Sequence, residues 1–530
     1  MERQRCIECE EIELARVRDQ PPSQTMPVPY QALDGFPAGR TPRDLTRRRL
    51  LQWGIAGSAS IYGAHQLGWD QIWDSVANAN EAENEKCLVL IYLAGGNDGL
   101  NVMIPTEAAD YAAYVAARPE IHRAQGVTPA NGRVGSTPLA GPGGGALAFA
   151  NVVVSKNGGG DNGQARFNFA AGGDGYGLDT LYGDGTGGPG SDLAVLPAVD
   201  AKQYSLSHFD NSDIWFAASN DQNTKTGWLG RWIDRNGKPD NPLQAVSIDT
   251  ALSKAIRTER NPVCAVPSLS MSGFTNNPGG AVGGGSSDLN GVISQLAGIQ
   301  AGAGNAYLQR SRYTYGLAHT TYMKVKSLTT TPSPTPTPTA TPVPIAYPNT
   351  GTLSARLKTA ATLLAANLGT RVITIHWGGF DTHTGQLASQ DRQMAEFSRA
   401  LAAFRADLQA RGIEQRVATL VFSEFGRRVR ENGSGTEAGT DHGIGGLMFA
   451  MGSGVRGGFA ADWPGCELRE LQPVNSATQG NLQVATDYRS VYKAVLDEWL
   501  GEQNSQSLLG GPVVEDLRRG DQLTGRRLFK

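Results

Sequence analysis

Apolar runs of strand length punctuate the chain, and most of them stop at a polar cluster. CLVLIYLA (87–94), RVITIHW (371–377) and VATLVF (417–422) are followed at once by Gly95-Gly96-Asn97-Asp98, by Gly379-Phe380-Asp381-Thr382-His383 and by Ser423-Glu424-Phe425-Gly426-Arg427-Arg428. LMFAM (447–451) is instead preceded by Thr440-Asp441-His442-Gly443, and LAVLPAV (193–199) reads as a further strand. Continuous apolar runs of this kind are expected of central strands covered on both faces. Between them the period changes. Leu353, Leu357, Leu364 and Leu368 recur at helical spacing, and Leu387, Met394, Phe397, Leu401, Phe404 and Leu408 step by 7, 3, 4, 3 and 4 along one face of a long helix. Tyr488, Val491, Tyr492, Val495 and Trp499 mark a last helix, and an amphipathic stretch from Asp213 opens with Ile214-Trp215-Phe216. Strand–helix alternation predicts parallel βαβ units, hence an α/β fold: a three-layer α/β/α sandwich around a mainly parallel sheet.

In such sheets ligands bind beyond the carboxyl ends of the strands. The clusters therefore predict a site as well as a fold. Asp381 and His383, two residues apart in an extended segment, point the same way and offer mixed oxygen and nitrogen donors suited to Zn²⁺ or Mn²⁺. Asp98 sits in a glycine turn that lets backbone approach a ligand. Glu424 ends its strand and His442 follows 18 residues later, with Asp441 in reserve. Ser207, in Tyr204-Ser205-Leu206-Ser207-His208-Phe209, stands near a predicted helix start. There it either caps the helix or serves as a nucleophile favoured by the helix N-terminus. Arg427 or Arg428 either clamps an anionic oxygen or forms a solvated surface pair.

Other stretches read as additions to this frame. Residues 1–82 are leader: Thr46-Arg47-Arg48-Arg49-Leu50-Leu51-Gln52 resembles the twin-arginine export motif, a mildly apolar stretch follows, and Ala77-Asn78-Ala79 offers a cleavage site. Residues 83–525 then form one domain with two insertions, a Gly/Asp-rich one at about 141–190 read as flexible and a Pro/Thr tract at about 329–344 read as an extended linker. Export implies the periplasm, the cell envelope or the exterior as destination, the twin-arginine translocase as transient partner, and no transmembrane segment in the mature chain. A net charge of −3 argues against a nucleic-acid groove. Five scattered cysteines leave room for one disulfide at most, and Cys6-x-x-Cys9 lacks the second pair a zinc site needs.

Taken in order, GGNDGLN (95–101), SHF with DIW (207–215), GWLGR (227–231), GGFDTH (378–383), SEFGRR (423–428), TDHG (440–443) and TDYRSVY (486–492) resemble the exported domain-of-unknown-function family 1501. More distantly the chain is similar to the alkaline phosphatase superfamily, with its sulfatases and cofactor-independent phosphoglycerate mutases. That resemblance implies an alkaline phosphatase-like α/β/α core and one or two divalent ions (Zn, Mn or Ca). One would be held by Asp381, His383 and His442, the other by Asp98 and Glu424 with His208. It also implies Ser207 as nucleophile and an anionic phosphate or sulfate ester as substrate, which Arg427 or Arg428 would be placed to clamp. Glu424-Phe425 stands where the superfamily has Asp-His, and Cys264-Ala265-Val266-Pro267-Ser268 lacks the Cys-x-Pro-x-Arg of formylglycine sulfatases. The rival expectation is a metal-stabilised binding or assembly protein of the cell envelope without turnover.

Overall fold

The computed structural model describes residues 61–62, 85–126, 134–139, 146–155, 177–186, 188, 190–221, 223–269, 306–330, 347–348, 351–476, 480–517 and 527–530. The export motif, the small-x-small site, the Cys6–Cys9 pair, residues 156–176 of the Gly/Asp-rich stretch and residues 331–344 of the Pro/Thr tract lie outside them.

The strands of the main sheet are β1 (Cys87–Ala94), β2 (Leu193–Asp200), β3 (Ala245–Ser247), β4 (Val263–Ala265), β5 (Val372–Gly378), β6 (Val417–Phe422), β7 (Gly446–Met451), β8 (Gly458–Phe459) and β9 (Thr486–Asp487). They lie in the order β4-β3-β5-β1-β6-β7-β2, with β8 and β9 both on the outer edge of β2 and Ile61–Tyr62 pairing antiparallel to β4. Every pairing from β4 to β6 is parallel, and β7 alone among β2–β9 runs against its neighbours. The register decides where the site forms. Ala94 lies opposite Gly378, and Tyr92 lies opposite Phe422, so β1, β5 and β6 end together. β7, being antiparallel, starts at the same edge where the others finish.

Among the described helices, α1 (His208–Ala217), α2 (Trp228–Asn236), α3 (Thr352–Ala365), α4 (Gln386–Ala410) and α5 (Tyr488–Ala494) pack on the two faces of the sheet. The two-residue period of β1 divides its side chains between two cores. Val89, Ile91 and Leu93 pack with Leu357 and Leu364 of α3 and Phe397, Leu401 and Phe404 of α4. Leu88, Leu90 and Tyr92 pack on the other face with Trp215 of α1, Trp228 and Trp232 of α2, and Tyr488 and Tyr492 of α5. The result is a three-layer α/β/α sandwich around a mainly parallel sheet. No described helix is long and apolar enough to cross a membrane.

Two local features differ from the sequence reading. The helix expected from Asp213 starts at His208, because Ser207 caps it and His208–Asp210 supply its first turn. Within the stretch read as a flexible insertion, Leu178–Tyr182 is a short helix, held by its buried Leu178, Leu181 and Tyr182. Cys87, Cys264 and Cys466 are all buried and free.

Candidate metal centre

The turn after β1 and the end of β6 are locked to each other. Glu424 is wholly buried, and its carboxylate accepts the backbone N–H groups of Gly95 (2.8 Å) and Gly96 (3.2 Å). Both glycines have positive φ, +118° and +77°, which turns their N–H groups inward. A Cβ at Gly95 would stand 2.3 Å from the Asp381 nitrogen, so glycine also lets the β1 and β5 turns touch. The same Glu424 carboxylate meets Nδ1 of His208 at 2.7 Å, and Asn211 donates to the Glu424 carbonyl. Glu424 thus organises the β1 turn and the first turn of α1.

Three imidazoles converge on Asp381, and each is held from behind. Nδ1 of His208 donates to Glu424, Nδ1 of His383 lies 3.0 Å from Asp441 Oδ1, and Nδ1 of His442 donates to the Leu206 carbonyl at 2.7 Å. Their Nε2 atoms face the Asp381 carboxylate at 3.4, 3.1 and 3.2 Å. Nε2 of His383 and Nε2 of His442 are 3.0 Å apart. With Nδ1 donating, Nε2 of a neutral imidazole carries a lone pair. Two such atoms and a carboxylate oxygen at these distances repel unless a proton or a cation lies among them. Nε2 of His208 is buried and makes no hydrogen bond, although it points at Asp381. Imidazoles whose outer nitrogen is held by carboxylates or a carbonyl are the arrangement that fixes metal-ligating histidines. His208, Asp381 and His442 each offer a ligand atom within 4.8 Å of the others. The residues therefore fit a divalent cation.

Electrostatics follow the same layout. Burial opposes the charged form of Asp381, but the three histidines and Arg427 outweigh it and hold the carboxyl far below the usual carboxylate range. Burial likewise disfavours a charged His208, yet the adjoining Asp381 and Glu424 lift it to about 9. His383 is raised by Asp381 and Asp441 against its burial, whereas burial, Arg427 and the two neighbouring imidazoles push His442 down.

The other residues singled out in the sequence have different positions. Asp98 does not join the cluster. It is buried in a bidentate pair with Arg118 (2.6 and 3.1 Å) and also accepts from Gln386, so the second ion expected of Asp98, Glu424 and His208 has no common donor set. Arg427 is not an exposed clamp. Its buried guanidinium donates to the carbonyls of Gly95, Gly96, Phe380 and Thr440 and to Asp381 Oδ1 (2.8 Å). It joins the turns after β1 and β5 to the chain that leads to His442. Ser207 caps α1 through a long contact with the Asp210 N–H, 3.5 Å. Sequence reading missed Arg118 and Gln386, which carry no local signal. It left Asp441 in reserve, although adjacency to His442 marks it.

A cavity of about 570 Å³ opens beside the cluster. His208, Asp381 and Glu424 line it together with Tyr92, Phe216 and His376.

This geometry can be set beside known proteins. Residues 336–509 match a family model described as "Protein of unknown function (DUF1501)". Asp381, His383, Glu424, Arg427 and His442 lie within the DUF1501 match, whereas Asp98, Ser207 and His208 precede it. No curated protein matches. Among solved structures, a mutant TAB5 alkaline phosphatase with Mg bound in its M3 site is similar at 10% identity, over 71% of this chain and 94% of that one, with a TM-score of 0.25.

Proposed function

We propose that the protein is an exported, metal-dependent hydrolase of phosphate or sulfate esters with a single-ion centre formed by His208, Asp381, His383 and His442. One observation carries this reading: three Nε2 atoms, each oriented by an acceptor on Nδ1, meet one carboxylate beside a cavity. Three imidazoles and one carboxylate suit Zn²⁺ or Mn²⁺ better than Ca²⁺, which takes oxygen ligands. When bound, the cation would supply Lewis-acid stabilisation of charge developing on the ester oxygens.

The chain's own groups supply the rest. Glu424, Asp441 and the Leu206 carbonyl hold the tautomers that keep the Nε2 lone pairs inward. Arg427 neutralises one Asp381 oxygen and fixes the loop that carries it. Ser207 is the candidate nucleophile. It is adjacent in sequence to His208, its capping bond is long, and the N–H groups at the start of α1 favour an alkoxide. Its oxygen would form a bond to phosphorus or sulfur as the ester bond to the alcohol breaks and the alcohol leaves protonated. Water would then release phosphate or sulfate from the serine.

The test is turnover of aryl phosphate and aryl sulfate esters by protein loaded with Zn²⁺ or Mn²⁺, with metal content measured alongside. Wild type is expected to hydrolyse one class, and Ser207→Ala to retain metal with at least a hundredfold loss of kcat. Metal retention without turnover of either ester would replace the hydrolase with a metal-stabilised binding protein. Full activity in Ser207→Ala would remove the serine from the mechanism.

A further inference from the structure

We infer that the cavity beside the donor cluster receives the organic half of the substrate, and that this half is a neutral aromatic group; the inference rests on the hydrolase reading only in naming that group the alcohol of an ester. The cavity is continuous with His208 and Asp381, so a molecule whose anionic head lies at the cluster must extend its remaining atoms there. About 570 Å³ is within the range of small-molecule sites and is ample for one or two fused rings.

Its walls favour a flat apolar occupant. Tyr92 stacks on His376 (centroids 5.3 Å, 26°) and meets Phe216 edge-on (4.9 Å, 82°), which makes an aromatic corner. Phe209, on the rim, is 51% exposed. Away from the donor cluster, the polar side chains of the lining already have partners. Lys254 pairs with Asp213 at 2.8 Å, and Asp249 lies 3.4 Å from His376 and accepts the Thr250 N–H. The hydroxyl of Ser212 donates to the Phe209 carbonyl, Ser247 bonds Thr374 at 2.8 Å, and Ser253 accepts from Ala255. A sugar or glycerol entering here would give up water for walls whose hydrogen bonds are taken, which is unfavourable. A quaternary ammonium would meet an acid already paired with His376 and an ammonium on Lys254. A neutral ring has neither penalty.

The test separates the cavity from the chemistry by using an alcohol, 2-naphthol, as probe. Its binding is measured by calorimetry on the EDTA-treated full chain, with glycerol and choline as comparisons. Two rim variants avoid the core: Ala251→Trp, at an exposed lining position, to block the mouth, and Phe209→Ser to remove the rim ring. Naphthol is expected to bind wild type at one site, about tenfold more weakly in Phe209→Ser, and undetectably in Ala251→Trp, with no heat from glycerol or choline. Unchanged naphthol affinity in both variants would overturn the inference, as would choline or glycerol binding that Ala251→Trp abolishes. Naphthol binding at this site in protein that hydrolyses neither 2-naphthyl phosphate nor 2-naphthyl sulfate would remove the hydrolase and leave the cavity assignment standing. Turnover of glycerol phosphate by protein that does not bind naphthol would do the reverse.

Discussion

Arg427 illustrates how a residue beside a reactive cluster can act by positioning its members. Its three nitrogens reach four carbonyls and Asp381, so one side chain satisfies backbone acceptors of three separate turns. Lysine has a single ammonium and cannot bridge that fan. Arg427→Lys is therefore expected to lower unfolding free energy by about 3 kcal/mol, the scale of a broken buried ionic network, and to loosen cation retention; urea unfolding and metal analysis check both. For the imidazoles the readout is metal content alone. His208→Ala, His383→Ala and His442→Ala should each retain less cation after dialysis than wild type, and content equal to wild type would exclude that residue from the centre. Asp200 supplies a pH prediction away from the cluster. Its carboxyl is wholly buried at the end of β2, accepts the N–H groups of Ala201 and Gly445, and is pushed by burial up to about 7. An unfolded aspartate titrates near ~4. Between those values the folded chain holds a proton that the unfolded chain has lost, so this group adds stability as pH falls from about 7 towards 4 and withdraws it as pH rises. Wild-type stability relative to Asp200→Asn should increase by roughly 2 kcal/mol from pH 7 to pH 5; a constant difference would contradict the assignment.

At the scale of elements, the strand ends matter more than the strands. β1 and β6 coincide with their apolar runs, and α4 begins one residue before the first apolar position of its stripe. Such agreement arises because periodicity reports a buried face directly. The start of α1 was not legible in this way. Its first turn, His208–Asp210, buries no apolar side chain, since Phe209 is exposed, and it is held by the Ser207 cap and by Glu424 receiving His208. The turn Gly95–Gly96 is the element on which the site depends most. Gly95→Ala would place a methyl against the Phe380–Asp381 backbone at a φ that L-residues avoid. The expected outcome is a loss of about 2 kcal/mol or more, with cation content falling in step because Asp381 is displaced. Thermal unfolding and metal analysis of the same sample test this, and a stable variant with full metal content would contradict it.

For the molecule as a whole, one sheet edge collects chemistry from distant parts of the chain. β1, β5 and β6 finish there because they are parallel and in register, and His442 arrives at the same edge because β7 runs the other way. The α/β/α layering is equally a consequence of β1, whose alternate residues face two helical layers. Export belongs to this scale too. The proposed route depends on Arg47 and Arg48, and replacing both with lysine should leave the protein in the cytoplasm with its leader uncut, as cell fractionation and intact mass would show. Secretion of the double variant at the wild-type level would refute a twin-arginine route.

The apolar runs, the helical stripes and the polar clusters at strand ends were written in the chain, because burial and periodicity are properties of neighbouring residues. From them followed the sandwich, its parallel sheet and the presence of Asp381, His383, Glu424 and His442 at one edge. Which of those groups would face a cation and which would support the others was decided only in three dimensions. Asp98 faces Arg118, Glu424 faces two backbone amides and His208, and Arg427 faces carbonyls, because each partner lies far along the sequence. A carboxylate at the end of a strand is the same residue type whether it binds an ion or holds an imidazole. Only its neighbours in space distinguish the two roles.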